Sequence, residues 1–133
     1  MEIYISEEAT IASIQNDFRD VYPSLSLAFY RQPHAYGETS PAGEKLPPET
    51  AIDDIRLMHP FGWINIDNSR TAAELEYDFR HKMGLNVQVL RRSGDLWLET
   101  THTDKWTLHQ LNEAGKQPGA EVFQFPDERI EED

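Results

Sequence analysis

The stretch that decides the fold of this chain occurs twice, as TIASIQNDFRDVYP at residues 10–23 and as TAAELEYDFRHKMG at residues 71–84. At an offset of 61 residues (71 − 10), the two copies share their first threonine and the tripeptide Asp-Phe-Arg. The agreement extends backwards, because EIYI at residues 2–5 and WINI at residues 63–66 precede the two copies at the same offset. The sequence therefore predicts an internal repeat.

Each copy, taken together with the segments before and after it, has the hydrophobic pattern of a strand, a helix and a second strand. Isoleucines alternate with other residues in the two segments that precede the copies, which is the period of a strand with one buried face. The next apolar residues are three or four positions apart, which is the period of a helix with one buried face. These residues are Ile11, Ile14, Phe18 and Val21 in the first copy and Ala72, Leu75, Phe79 and Met83 in the second. A second alternating run follows each helix, at residues 25–29 and 85–89.

The predicted helices have recognisable ends. Thr71 with Glu74 three residues later is a capping-box pattern, and Gly84 supplies a left-handed stop. Pro23 ends the first helix, because a proline interrupts the ladder of backbone hydrogen bonds. Phe18 and Phe79 are predicted core residues, so a catalytic role for the repeated Asp-Phe-Arg is disfavoured.

We therefore predict an α+β fold of the ferredoxin-like type, a duplicated βαβ unit whose repeats span about residues 2–30 and 63–90. The four strands would form one antiparallel sheet with both helices on one face. Ser93-Gly94-Asp95 predicts a hairpin that adds a fifth strand. A C-terminal helix follows, with Thr103 or Asp104 as its cap and Gly115 as its terminator. The hairpin and this helix span residues 86–115.

A connecting loop at residues 31–61 separates the two repeats and contains five of the eight prolines. Within it, residues 51–58 (AIDDIRLM) fit a short helix or a strand equally well. The loop is too long for an ordinary connection, so we expect it to be either functional or mobile.

The composition indicates one domain at residues 1–120 and an acidic tail at residues 121–133. The 133 residues are 38% hydrophobic, which is enough for one compact core. No run approaches the roughly 20 apolar residues of a membrane helix, and no signal-peptide pattern opens the chain. We therefore expect a soluble cytoplasmic protein without a membrane partner. The absence of cysteine excludes disulfides, thiol nucleophiles and thiolate metal ligands.

The net charge of −12, from 24 acidic and 12 basic residues, would repel a nucleic-acid backbone, so no nucleic-acid partner is predicted. Six acidic residues and one arginine give the tail a net charge of −5 (1 − 6). A solvated tail that aids solubility is favoured over one that docks on a basic partner.

No phosphate-binding loop, dinucleotide-binding turn, zinc-protease motif or hydrolase nucleophile motif is present, and no catalytic residue, cofactor or metal is predicted. The best metal candidate is a group of five residues that lie within fifteen positions, namely Glu99, His102, Asp104, His109 and Glu113, of which His109 and Glu113 would share one helix face. A solvated surface pair is the favoured interpretation of these two residues. His81 is also predicted to be exposed, and His34 lies in the loop.

One face of the predicted sheet is aromatic and mostly uncharged. The residues assigned to a binding surface on this face are Tyr4, Tyr30, Trp63, Asn65, Gln88 and Trp97. Either the third helix or the C-terminal segment covers the face, or the face meets a second copy or another protein. Aromatic side chains on such a face stack on bases in RNA-recognition domains, but the negative charge disfavours that use.

These patterns favour a non-enzymatic interaction or regulatory module that binds a protein partner or associates with itself, with a homodimer as one possible form. The alternative is a small-ligand-binding protein or metal-dependent enzyme with a polar pocket between the long loop and the third helix. The members of that pocket would be His59, Glu99, His102 and His109. A third hypothesis is mimicry of a nucleic acid by the acidic surface.

Overall fold

The computed structural model describes residues 1–31, 45–55, 62–100 and 103–116, and these residues form an α+β fold. The elements in chain order are β1 (Glu2–Ile5), α1 (Ile11–Val21), β2 (Leu25–Tyr30), a 3-10 helix (Ile52–Asp54), β3 (Gly62–Asn65), α2 (Ala72–Met83), β4 (Asn86–Ser93), β5 (Leu96–Glu99) and α3 (Leu108–Lys116). The predicted order of strand, helix and strand therefore occurs twice. The α+β class is confirmed.

The ends of the first two helices follow from local side-chain chemistry. Thr71 and Glu74 form the predicted capping box, with Thr71 Oγ1 accepting from the Glu74 amide at 3.1 Å. Thr10 and Ser13 form the equivalent box on α1, which the sequence analysis did not identify. Gly84 ends α2 in the predicted left-handed conformation, with φ of 70°.

The strands form two antiparallel sheets. β1 pairs with β3, and β4 pairs with both β2 and β5. Ile3 lies opposite Ile64, the residue that the offset of 61 assigns to it. In the other sheet Leu27 lies opposite Val89, at an offset of 62 (89 − 27). Equivalent strands of the two βαβ units are therefore paired with each other.

This pairing departs from the single sheet of four strands that we predicted. A ferredoxin-like sheet has the strand order β4-β1-β3-β2, in which β2 and β4 are the outermost strands. Here β2 and β4 are neighbours, and within the described ranges no ladder joins the two sheets. The apolar pattern specifies which face of each strand is buried but not which strands are adjacent, because pairing depends on contacts distant in sequence.

One apolar cluster joins both sheets and all three helices. Phe18 and Phe79 are fully buried in this cluster, as predicted, and the Phe79 ring meets Phe29 edge-on with the ring centroids 6.1 Å apart. Burying a phenylalanine side chain stabilises a fold by roughly 1.5–3 kcal/mol. The two helices thus anchor both sheets to the same core.

Backbone amides at the N-termini of α1 and α2 are bound in the same way. The hydrogen bonds run from Ile11 N to Thr50 O (3.0 Å), Ala12 N to Pro48 O (2.8 Å), Ala72 N to Trp106 O (3.1 Å) and Ala73 N to Asp104 O (2.7 Å). An isolated β-bridge accompanies each set, Thr10 with Ala51 and Thr71 with Thr107. A helix follows each bridge, the 3-10 helix in one half and α3 in the other. The correspondence between the halves is therefore more extensive than the sequence indicates.

A third correspondence ties each helix to a strand. Gln15 donates its Nε2 to the Leu27 carbonyl at 2.8 Å. Glu76, which is 61 residues later (76 − 15), accepts the Val89 amide on Oε2 at 2.9 Å. Leu27 and Val89 lie opposite each other in the β2–β4 ladder. A polar side chain of the preceding helix therefore satisfies one backbone group in each of these two strands.

The predicted hairpin is confirmed, but two details of α3 are wrong. Ser93 lies opposite Leu96, and Gly94 takes a positive φ of 60° in the turn. Thr107 caps α3, because its Oγ1 accepts the Gln110 amide at 3.1 Å and Gln110 accepts the Thr107 amide at 2.9 Å. Thr103 and Asp104 precede the helix.

Gly115 is a packing residue and not the predicted terminator, because α3 continues to Lys116. A Cβ atom on Gly115 would lie 2.8 Å from the Ser24 Cβ and 3.0 Å from the Ser24 carbonyl oxygen. The glycine therefore permits close approach of α3 to the segment that precedes β2.

Of the segment at residues 51–58, for which a helix and a strand were both open, residues 51–55 are described and contain a short 3-10 helix at Ile52–Asp54. The remainder of the proline-rich loop, at residues 32–44 and 56–61, lies outside the described residues, as does the acidic tail. Nowhere in the described ranges is a helix both long enough and apolar enough to cross a bilayer.

Candidate functional site

Tyr4 and Trp63 form an exposed aromatic pair on the β1–β3 sheet, called here the Tyr4–Trp63 pair. The two residues lie opposite each other in the ladder, with ring centroids 5.0 Å apart and ring planes inclined at 59°. Their exposed fractions are 49% and 57%. Because Ile3 and Ile64 point into the core, strand alternation turns these two rings toward solvent.

Tyr30 and Gln88, by contrast, are 3% and 1% exposed. They lie on the corresponding face of the β2-β4-β5 sheet, where Ala28, Tyr30 and Leu90 form a second apolar cluster and Trp97 packs against it partly buried. The predicted aromatic surface is therefore divided into an exposed part and a buried part. Its sixth member, Asn65, is partly buried on β3, where its Oδ1 accepts the Asp67 amide at 2.9 Å.

Two arginines of the same chain lie over the ring of Trp97. The guanidinium carbons of Arg92 and Arg19 lie 5.3 and 5.6 Å from the centroid of its ring, within cation–π range. Arg19 belongs to the first Asp-Phe-Arg, and Asp78 of the second accepts a 2.6 Å hydrogen bond from Arg70 Nη1. The repeated tripeptide thus makes structural contacts, and the side chain of Asp78 is only 14% exposed.

A group of acidic side chains lies where β5 ends. Burial raises the pKa of Glu76 to about 8, the hydrogen bond from the Val89 amide opposes that rise, and the charges of Asp104 and Glu99 add to it. Glu99 accepts the Tyr30 hydroxyl at 3.3 Å. Burial, followed by the charge of Glu99, raises the pKa of Tyr30 above its ordinary range. The described residues nevertheless contain no group of three His, Asp or Glu side chains that is suited to a metal ion.

The sequence analysis assigned no role to Glu76. The only available signal was its equivalence to Gln15, a residue type that is uncharged at every pH. Burial of a carboxyl group in the place of an amide favours the protonated form, and this effect outweighs the hydrogen bond from the Val89 amide, which favours the carboxylate.

A cleft of about 400 Å³, called here the α3 cleft, lies between the end of α1, the loop after β3 and one face of α3. The side chains that line it are Met1, Val21, Tyr22, Asp67, Asn68, His109, Asn112, Glu113 and Lys116. The cleft is mixed in polarity and carries both signs of charge. A cleft of this volume and mixed lining has room for a small polar molecule.

Most polar groups of the α3 cleft are bound to one another or to the backbone. Tyr22 donates its hydroxyl to the Ile66 carbonyl at 2.6 Å, and burial followed by the charge of Asp67 raises the pKa of Tyr22 to about 12. The hydrogen bond from Lys116 to Glu113, 2.9 Å long, lowers the pKa of Glu113. The Met1 amino group contacts Asp67 and lowers the pKa of that carboxyl.

Two of the four members of the predicted polar pocket, Glu99 and His109, lie within the described residues. His109 lines the α3 cleft with Glu113, whereas Glu99 is outside the cleft and bonds to Tyr30. His59 and His102 lie outside the described residues, as does His34. His81 is exposed, as predicted, and stacks on Tyr77 with ring centroids 3.9 Å apart.

Comparison with known proteins adds no family to this description, since no protein-family model, curated protein or solved structure matches the chain.

Proposed function

We propose that this chain is a non-enzymatic module that binds another protein through the Tyr4–Trp63 pair. The observation that carries the proposal is the position of two large aromatic rings in mutual contact, about half exposed, on a regular sheet face. Keeping such apolar area in water is unfavourable, and tryptophan and tyrosine supply a large share of the binding energy in protein interfaces. Rings that are fixed by β1 and β3 also lose little conformational entropy on binding.

The α3 cleft and the acidic group near β5 are weaker candidates for chemistry. Their charged groups form ion pairs and hydrogen bonds within the chain. A protein partner is favoured over a nucleic acid because the chain carries a net charge of −12. The cysteine-free composition supports a reducing compartment such as the cytoplasm.

We also infer that the fold arose by duplication. Equivalent strand pairs, helix-to-strand contacts and amide contacts at the N-termini of α1 and α2 support this inference. The ferredoxin-like arrangement applies at the level of the repeated βαβ order, with β2 and β4 paired differently.

Photo-crosslinking tests the interaction surface. Benzoylphenylalanine in place of Trp63 should give a defined adduct with a partner or with a second copy when the full chain is expressed in its native cells. The matched control is the same replacement at Tyr77, which is 61% exposed on α2. Equal adducts at both positions, or none at position 63, would contradict the proposal.

A second candidate function is binding of a small polar molecule in the α3 cleft, favoured by its volume and by His109 and Lys116 on its wall. A thermal-shift panel of polar metabolites should then contain a stabilising compound. His109→Ala should remove that stabilisation, and His81→Ala, on an exposed histidine of α2, should not. A panel without a stabilising compound would remove support for this candidate.

A further inference from the structure

The surroundings of the Tyr4–Trp63 pair are acidic. Residues 1–9 and 62–69, which carry β1 and β3, contain four acidic side chains and no lysine or arginine, and one of the four, Asp67, is paired with the Met1 amino group. Three of the four are exposed, namely Glu2, Glu7 and Glu8. Glu2 lies two residues from Tyr4 and therefore on the same face of β1. A partner that docks on the two rings meets negative charge beside them.

We propose that the partner presents a positively charged segment, with an arginine or lysine side chain stacked on Trp63 and its charge near Glu2. This inference rests on the proposed function and adds the chemistry of the partner. Tryptophan gives the strongest cation–π attraction among the aromatic side chains, and arginine stacks more often than lysine. Aromatic and acidic groups side by side therefore favour a cationic partner over an apolar one.

A comparison of two tryptophans within the chain supports this assignment. Trp97 has Arg19 and Arg92 over its ring at 5.6 and 5.3 Å. Among the described residues no arginine or lysine takes the equivalent place on Trp63, whose exposed contact is with Tyr4. Trp63 is 57% exposed, and within the described part of the chain its ring lacks the arginine contacts that Trp97 has.

A second copy of the chain fits this surface less well. Two-fold pairing through the same face would place the Glu2 carboxylates of both copies in one interface. Each copy also carries a net charge of −12, which opposes association of like chains. A basic segment is instead attracted both by the acidic side chains at the interface and by the net negative charge of the chain.

The test uses three fluorescently labelled peptides of equal length: one rich in arginine and serine, one in which glutamate replaces arginine, and one without charged residues. Each is titrated into the full chain and followed by anisotropy at several salt concentrations. We expect the arginine peptide to bind most tightly, and Trp63→Ala to weaken its binding by roughly two- to fivefold. Glu2→Gln should also weaken binding and reduce its salt dependence.

Matched controls separate this surface from the general charge of the chain. Tyr77→Ala removes an exposed ring elsewhere, and Glu49→Gln removes an exposed charge in the segment before the 3-10 helix. Neither should change the affinity. Circular dichroism of each variant checks that the fold is retained.

The outcomes distinguish this inference from the proposed function. Equal binding of the arginine peptide to wild type and Trp63→Ala would overturn the inference, because the peptide would then be attracted by the overall negative charge of the chain and not by the Trp63 ring. Tighter binding of the uncharged or acidic peptide, lost in Trp63→Ala, would also overturn it while leaving the protein-binding function intact. The absence of peptide binding together with the absence of a cross-link at position 63 would overturn both.

Discussion

Replacement of Glu76 by glutamine is expected to remove a pH-dependent loss of stability. The glutamine retains an oxygen that accepts the Val89 amide, as Glu76 Oε2 does at 2.9 Å, but it carries no charge at any pH. The sequence itself places glutamine at the equivalent position, Gln15, where it bonds to Leu27. The substitution therefore changes the ionisation at this site with little change in shape.

The magnitude follows from the raised pKa of Glu76. A rise from the ordinary 4.5 to about 8, at about 1.36 kcal/mol per pH unit, gives a ceiling on the order of 5 kcal/mol. Because the pKa is higher in the folded state, the folded protein binds more protons between these two pH values. The contribution to stability is complete below pH 4.5, falls as the pH rises toward about 8, and is constant above that value. Since the side chain is partly buried, about 2–5 kcal/mol is the expected range.

Urea unfolding of wild type and Glu76→Gln at intervals from pH 4 to pH 9 measures the contribution of Glu76 protonation to the free energy of unfolding. The two proteins should have similar free energies of unfolding near pH 4, and Glu76→Gln should be the more stable above pH 8. Glu49→Gln, at an exposed carboxylate, serves as the control for the loss of one charge. Parallel curves for wild type and Glu76→Gln between pH 5 and pH 8 would refute the reasoning.

Four further substitutions test the packing and the repeat by denaturant unfolding. Gly115→Ala should cost roughly 1–3 kcal/mol, because its Cβ would lie 2.8 Å from the Ser24 Cβ, and an unchanged stability would show that α3 does not pack this closely on Ser24. Asp78→Asn should cost on the order of 1 kcal/mol through weakening of its bond to Arg70, whereas the equivalent Asp17→Asn, on an exposed residue, should change little. Equal losses of stability in Asp78→Asn and Asp17→Asn would contradict the difference between Asp78, which bonds to Arg70, and the exposed Asp17. Thr71→Ala should cost about 1 kcal/mol through loss of the α2 cap, and no loss would argue against the capping box.

Local features of the fold were predictable because they depend on neighbouring residues. The capping box of Thr71, the left-handed Gly84 and the hairpin turn at Gly94 each follow from the chemistry of a few consecutive residues. The pairing of β2 with β4 was not predictable in this way, since an apolar strand face is satisfied by more than one neighbour. The start of α3 was misplaced because three candidate caps, Thr103, Asp104 and Thr107, precede its apolar residues.

The candidate site shows the same division between local and distant causes. Tyr4 and Tyr30 alternate with buried residues in the same manner, yet one is exposed and the other is 3% exposed. Alternation predicts the face on which a side chain lies, whereas exposure depends on what packs over that face. Glu76 was missed because a charged residue on a helix is usually solvated, and its environment is supplied by distant segments.

Fluorine NMR of the full chain labelled with 5-fluorotryptophan tests most directly whether Trp63 is an open binding residue. The three tryptophan resonances are assigned with single Trp→Phe variants and recorded in H2O and D2O, alone and with the arginine-rich peptide. We expect a solvent-isotope shift for Trp63, little for Trp106, which is 3% exposed, and a peptide-induced change that is largest at Trp63. A Trp63 resonance without an isotope shift would show that the ring is covered and would contradict its role in binding. A peptide-induced change confined to Trp97 or Trp106 would place binding elsewhere and contradict the proposed cationic contact at Trp63.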